Sequence, residues 1–397
     1  MAGKRSIFEE VGSAGPGQAG SGQAGLGPSA GGMIDGAGLG SRGAVRGWLV
    51  VLFLMVAMMV LVGGLTRLTD SGLSITEWNP IMGALPPMSA ADWASEFSKY
   101  QAIPQYQLVN KGMELSEFKV IYWWEWAHRN LGRFVGLVWA VGFFFFVLTR
   151  RVPAGWSPRL FGLGMLGGLQ GAIGWWMVSS GLTGDMVSVA SYRLATHLGL
   201  AFAILGLCTT YILLLSRREV DLMAARRNSE SRLKGMSTGM MHLLFLQILL
   251  GALVAGIDAG RAFPTWPDMN GQFFPADAFY VPGPNGEARP VWAAFFENAG
   301  LVQFIHRMVG YALLAMTVVV WLRGRKSAYR ATRFAFNAVM VMMLVQIGLG
   351  IYAALTAAQL HVAITHQIGA VILWVLVIRA RHMAVYPVQG SIREGTA

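Results

Sequence analysis

The 397-residue chain is 54% hydrophobic and 13% charged, with a net charge of +11. Charged residues avoid long stretches of chain, which excludes an ordinary soluble domain, and basic residues fall in short segments between apolar runs, which excludes a nucleic-acid surface. The single cysteine, Cys208, excludes an intrachain disulfide or an iron–sulfur centre within one chain and reads as a small buried hydrophobe.

In chain order, the first forty residues are rich in Gly, Ala, Ser and Gln, which predicts a disordered tail over 1–45. No cleavable signal is evident; the first apolar run is longer than a usual signal core and stays as an anchor. Eight runs follow, roughly 48–65, 121–148, 160–179, 194–215, 239–257, 299–322, 334–355 and 362–379. Most are near the ~20 residues needed to cross a bilayer, and in lipid they must be helices because the backbone has no other partner. The expected fold class is therefore an all-α polytopic membrane protein with eight transmembrane helices as two parallel-oriented four-helix repeats. Arg42, Arg46, Arg150, Arg151, Arg159, Arg217, Arg218, Arg226, Arg227, Arg323, Arg325 and Arg379 place both termini and the connections after runs two, four and six on the cytoplasmic side. The long connections 66–120 and 258–298 then lie outside.

The repeat is visible by eye. Glu-Trp-Ala-His-Arg-Asn-Leu-Gly at 125–132 is echoed by Gln-Phe-Ile-His-Arg-Met-Val-Gly at 303–310, and Leu-Ala-Thr-His-Leu-Gly at 194–199 by Ala-Ile-Thr-His-Gln-Ile-Gly at 363–369. Gln-x-x-x-Gly occurs at Gln170–Gly174 and again at Gln346–Gly350, while Gly64, Asp70, Gly72 and Trp78 are echoed 188 residues later around Gly251, with Asp258, Gly260 and Trp266. This points to duplication of about half the chain.

Each repeat carries two histidines in apolar runs: His128 and His197, then His306 and His366. One such imidazole can simply bond a neighbouring helix, but four in the same order mark a functional site. Neutral imidazoles facing across a helical bundle suit axial ligation of heme iron, and no run offers the Cys or His-x-x-x-His cluster of a zinc site. With three to seven residues between each histidine and the outer end of its run, both pairs are expected at one level, roughly 5–10 Å deep. His242, His361 and His382 have no counterparts and read as interfacial. The halves differ at one place: Glu125 lies one helical turn before His128, where Gln303 precedes His306. Glu125 reads either as a structural ion pair with Arg129 or as a proton acceptor beside a heme edge. Arg129 and Arg307, each adjacent to a histidine, are candidates for propionate contacts. Trp78, Trp93, Trp266 and Trp292 either cover the sites or mark the membrane interface.

The phrases Gly-Gly-Leu-Thr-Arg-Leu-Thr-x-Ser-Gly-Leu-Ser-Ile-Thr-Glu-Trp at 63–78, Glu-Trp-Ala-His-Arg-x-Leu-Gly-Arg at 125–133 and Phe-Ile-His-Arg at 304–307 together resemble the heme A synthase family in its proteobacterial and mitochondrial form. The resemblance covers roughly residues 45–382. It implies oxidation of the C8 methyl group of heme O to a formyl group, with oxygen from water, for terminal oxidase biogenesis. It also implies heme B as cofactor on His306 and His366, substrate heme on His128 and His197, and Glu125 as the catalytic carboxylate. The organisation it suggests is a substrate half over 46–216, a basic cytoplasmic linker over 217–237, a heme B half over 238–382 and a cytoplasmic tail over 383–397. The location is the bacterial inner membrane, with the heme sites near the periplasmic side. Some members carry a cysteine pair in the first outer loop; this chain lacks it, so a mechanism resting on those thiols does not operate here. Insoluble heme O would gain from direct transfer, which leaves room for contacts with heme O synthase and oxidase assembly factors; whether the chain forms a homo-oligomer the sequence leaves open. The competing readings are a diheme b-type cytochrome for quinol-linked electron transfer, which leaves Glu125 without a task, and a colourless duplicated transporter, which leaves four histidines without ligands.

Overall fold

The computed structural model describes residues 39–184, 186–283 and 286–388; the expected tail over 1–38 and the residues from 389 onward lie outside the described residues. Among the described residues the chain is helical, with no strand beyond the isolated bridges Met269 to Gln272 and Pro282 to Ala288. Eight long helices form: α1 Leu39–Leu68, α2 Leu115–Leu148, α3 Ser157–Ser179, α4 Ser191–Leu215, α5 Ser231–Gly256, α6 Ala299–Gly324, α7 Arg330–Leu355 and α8 Leu360–Val385. Seven are long and apolar enough to cross a membrane. The exception is α3, where six glycines, Arg159 and Gln170 dilute the apolar content; it packs on both α2 and α4.

Several helices begin before the apolar runs that announce them. Residues 39–45, expected as tail, form the first turns of α1, because Arg42 donates to the carbonyls of Leu214 and Arg217 at 3.0 and 2.7 Å and so ties that end to the α4 terminus. The basic linker also holds a helix, Glu219–Arg227, with Glu219 and Asp221 in its first turn and Arg226 and Arg227 in its last, which complements the helix dipole at both ends.

α1 packs on α2 and α4, and α3 on α4; α5 packs in the same way on α6 and α8, and α7 on α8. α4 meets both α5 and α8, and α1 meets α8, so these four form the middle of the bundle. Their shared core includes Phe202, Leu205, Leu244, Trp374 and Val377. Lipid tails are as apolar as leucine, so close packing and interhelical hydrogen bonds must hold such helices together. Trp374 Nε1 donates to the Phe202 carbonyl at 2.9 Å, and Gln367 Nε2 donates to the Val60 carbonyl at 2.6 Å.

The two long connections lie at one end of the bundle. The first contains a helix, Ala90–Gln101, started by a reciprocal cap in which Ser89 Oγ accepts from the Asp92 amide and the Asp92 carboxylate accepts from the Ser89 amide. Those bonds hold the Asp92 carboxyl below its usual range. Lys99 bridges Glu96 and Glu77 at 2.8 and 3.1 Å, which raises its pKa, chiefly through Glu96. Tyr100 and Phe97 of this helix pack on Phe118 with ring centroids 5.2 and 5.1 Å apart. That cluster explains why α2 begins at Leu115, well before its apolar run, and why His128 stands farther from its helix start than the other three histidines.

Candidate functional site

The four histidines lie on α2, α4, α6 and α8, and each half-buried ring rests against a glycine of the preceding helix. A Cβ built on Gly63 or Gly174 would meet Cε1 of His128 or His197 at 2.9 Å; one on Gly251 or Gly350 would meet Cε1 of His306 or His366 at 3.2 Å. The same contact thus occurs four times. The register of the echo around Gly251 shifts by one residue: Gly63, not Gly64, supports the histidine, and Gly64 instead makes room for the Gln367 side chain.

A glutamine four residues before the glycine shares its helix face. Gln170 Nε2 lies 3.2 and 3.3 Å from the two ring nitrogens of His197 and 3.0 Å from its carbonyl oxygen, and Gln247 Nε2 repeats all three distances at His306. A nitrogen equidistant from both ring nitrogens sits over the ring face, so its proton goes to the carbonyl and the imidazole nitrogens stay available. Gln247–Gly251 is thus a third Gln-x-x-x-Gly phrase, missed in the sequence reading although its i, i+4 spacing was there to find. On α1 the corresponding residue is Met59.

His128 lies within electrostatic range of His197, and His306 within range of His366. Around these pairs the buried atoms His128 Nδ1, His366 Nδ1, Gln170 Oε1, Gln247 Oε1, Gln303 Oε1 and Gln346 Nε2 have no hydrogen-bond partner. Buried polar atoms are normally satisfied, so this concentration is that of a binding site. Among the described residues no group of three or more His, Cys, Asp or Glu gathers to hold a bare metal ion. The paired imidazoles beside their glycines instead fit a flat iron-bearing macrocycle, which His128 with His197 and His306 with His366 would hold.

Glu125 is 2% exposed and both its oxygens are engaged. Oε1 accepts from Arg129 Nε at 3.0 Å and Nη2 at 2.6 Å; Oε2 accepts from Ser74 Oγ and the Ile75 amide, both at 2.8 Å. The ion pair with Arg129 is therefore present, and a segment of the first connection reaches in to complete the carboxylate's shell. Arg129 also donates to the Ile75 and Glu77 carbonyls at 2.7 and 2.8 Å, and Arg307 donates to those of Phe263 and Asp268 at 3.0 and 2.8 Å. The two arginines thus fasten the two connections in the same way. Trp78 stacks on Trp175, 5.8 Å away and next to Gly174, with its outer side exposed, and Trp292 is exposed as well.

Arg67, at the end of α1, joins the two connections. It pairs with Asp70 at 2.9 Å and Asp258 at 2.7 Å, two residues that occupy matching left-handed turns with φ of 51° and 52°. Ala255 stands where the second half would carry the same arginine.

Duplicated imidazole pairs in an apolar helical bundle, with a buried carboxylate beside one of them, define a membrane protein with two related sites of unequal chemistry. The chain belongs to the cytochrome oxidase assembly protein family COX15-CtaA, which it matches over residues 46–378. It is 58% identical to the heme A synthase of Cereibacter sphaeroides (strain ATCC 17029 / ATH 2.4.9), over 99% of each chain. It is 59% identical to the heme A synthases of Ruegeria sp. (strain TM1040), over 98% of this chain and 99% of that one, and of Paracoccus denitrificans (strain Pd 1222), over 98% of each.

Proposed function

We propose that the chain is a heme A synthase, oxidising the C8 methyl group of heme O to a formyl group with oxygen from water. The observation that carries the reading is the inequality of the two halves: Glu125, with its shell of donors, stands one turn before His128, while Gln303, its Oε1 without a partner, stands one turn before His306. His128 and His197 hold the substrate, and His306 and His366 hold a resident heme B, which when bound supplies one-electron chemistry beside the reacting half. The eight long helices span the inner membrane as two parallel four-helix repeats, with α3 carried among the others despite its glycines. The basic connections are cytoplasmic and the two long connections periplasmic. Arg129 and Arg307 hold the connections over the sites and reach heme propionates with the N–H groups left over. A diheme electron relay gives the Glu125 shell no role.

Oxidising a methyl group to a formyl group with water releases four electrons and four protons. Four donors fill the four acceptor positions of the Glu125 carboxylate, so taking up a proton requires one of them to turn away. Ser74 can do so, because its hydroxyl has alternative acceptors in the Ser71 and Ile121 carbonyls at 3.1 and 3.3 Å. Ser74→Ala leaves that position open and is expected to retain conversion within about tenfold of the parent, since general acid–base groups themselves are worth ~100-fold or more. A loss as deep as that of a Glu125 variant would show that the hydroxyl itself carries the proton.

The glycine walls give a second expectation. Gly251→Val forces His306 aside and should lower retained heme B several-fold, while Gly136→Val, where a Cβ meets nothing within 4 Å, leaves it unchanged. Absorbance of the purified proteins reads this directly, and equal heme in both would remove the wall from the site.

The test of the function is chromatography of extracted hemes after expression with a heme O supply in a host that makes no heme A. Heme A is the expected product. Two bound hemes B and no conversion, in folded protein supplied with an oxidant, would overturn the reading in favour of the relay.

A further inference from the structure

Each long connection forms a half-open cavity with the helix that follows it, and the two cavities correspond. The first, about 280 Å³, includes Arg129 and Arg133 of α2 in its wall; the second, about 310 Å³, includes Arg307 and Tyr311 at the matching positions of α6. Their chemistry has diverged. Glu77, Asp92 and Glu96 make the first one charged, whereas Trp266, Met269, Phe273, Phe304 and Met308 make the second one aromatic and thioether-lined. Both volumes fall near the lower end of the ~300–1,000 Å³ typical of small-molecule sites.

We infer that the second cavity binds the head group of an isoprenoid benzoquinone, the oxidant for the reaction proposed above; the inference rests on that reading. The oxidation needs an acceptor for four electrons, and one dissolved in lipid reaches a membrane-embedded site directly. A quinone ring is flat and neutral, and its two carbonyls only accept hydrogen bonds. The cavity offers the complement. Phe304 stands edge-on to Phe274 and Phe273, with centroids 4.9 and 5.8 Å away, and Phe273 is 76% exposed at the mouth. Beside Asp268, two donors interrupt the apolar wall. The Tyr311 hydroxyl accepts from Trp266 Nε1 at 2.8 Å and keeps its own proton to give, and of the five N–H donors of the Arg307 guanidinium two are spent on Phe263 and Asp268, which leaves enough for both a propionate and a quinone carbonyl. The first cavity also has apolar lining in Ile75, Met82, Leu85, Pro86 and Pro87, but three carboxylates and two arginines share it, and it lacks the second one's cluster of aromatic rings. A phosphate-bearing soluble cofactor would need more cationic groups than one arginine already tied to two carbonyls.

The placement serves the reaction. Phe304 and Met308 lie two residues either side of His306 and therefore on the opposite face of α6, one helix diameter of about 10–12 Å from the pair. The balance closes without a further reagent: one methyl group, one water and two quinones give one formyl group and two quinols, each quinone taking two electrons and two protons.

The test is photolabelling of the full heme-loaded chain in lipid nanodiscs with an azido-substituted short-chain benzoquinone, followed by peptide mapping. Label is expected within 263–273 and 304–311, displaced by excess decyl-benzoquinone. Met308→Trp, which fills the cavity, should reduce labelling at least tenfold; Tyr311→Phe, which keeps the ring and removes one donor, should reduce it several-fold and serves if the larger change prevents insertion. Label outside these segments, or undiminished in both variants, overturns the site. Heme chromatography on the same samples separates the two claims. Displaceable label at the cavity without heme A supports the site and sinks the synthase reading, whereas heme A made with no label there sinks the quinone site alone.

Discussion

Glu125→Gln is expected to abolish measurable conversion of heme O, by a factor of roughly 100 to 10,000, while leaving the protein folded and able to bind heme. Glutamine keeps the volume and can still accept from Arg129 on one side. Its amide nitrogen then faces the Ser74 hydroxyl and the Ile75 amide, which both donate to Oε2 in the parent. Ser74 can turn to a carbonyl, but the Ile75 amide cannot turn, and one unsatisfied buried donor costs about 1–3 kcal/mol. The chain as a whole can absorb that cost, because the helices are held together mainly by packing far from this point. The heme A to heme O ratio in extracts, with bound heme measured in parallel, gives the answer. Undiminished heme A would remove Glu125 from the chemistry and leave the Arg129 ion pair as a purely structural device.

His306→Ala is expected to empty the second site, reducing heme B in protein purified without heme O at least tenfold, whereas His128→Ala should retain that heme and lose conversion. The alanine removes one of the two imidazoles proposed to hold the iron and leaves the other, His366, with its buried Nδ1 still unpartnered. The reduced low-spin absorbance band measures the outcome. If His306→Ala keeps its heme and His128→Ala loses it, the assignment of the halves is reversed.

What the sequence reveals and what it hides divides along physical lines. All eight helices are legible as apolar runs, seven of them long and apolar enough to cross a membrane, and the four histidines are legible because polar atoms are conspicuous in such runs. The starts of α1, α2 and α5 are not, since hydropathy reads the charged turns around Arg42, Glu117 and Lys234 as connection, while the backbone there is held by contacts from distant parts of the chain. The wall of each histidine is half legible. Gln170–Gly174 and Gln346–Gly350 are noticed because they share a spacing, but Gln247–Gly251 escapes and its α1 counterpart carries Met59, so the pattern is broken where comparison begins. Least legible is the shell of Glu125: Arg129 is four residues away, but Ser74 and Ile75 are separated from it by an entire connection whose path depends on the Ala90–Gln101 helix and its packing on Phe118.

Arg67 makes the two halves unequal as building blocks. It grips Asp70 of its own half and Asp258 of the other, and Ala255 offers no return grip. A symmetric pair of first halves would set two guanidiniums beside two carboxylates, and in a symmetric pair of second halves each Asp258 would keep only the 3.9 Å contact with Arg261 of its own half, with no arginine reaching across. Only the mixed pair supplies one arginine for two aspartates. If the chain is cut within the 217–230 connection and the pieces are made separately, the second piece has no electrostatic reason to pair with itself and a definite one to find the first.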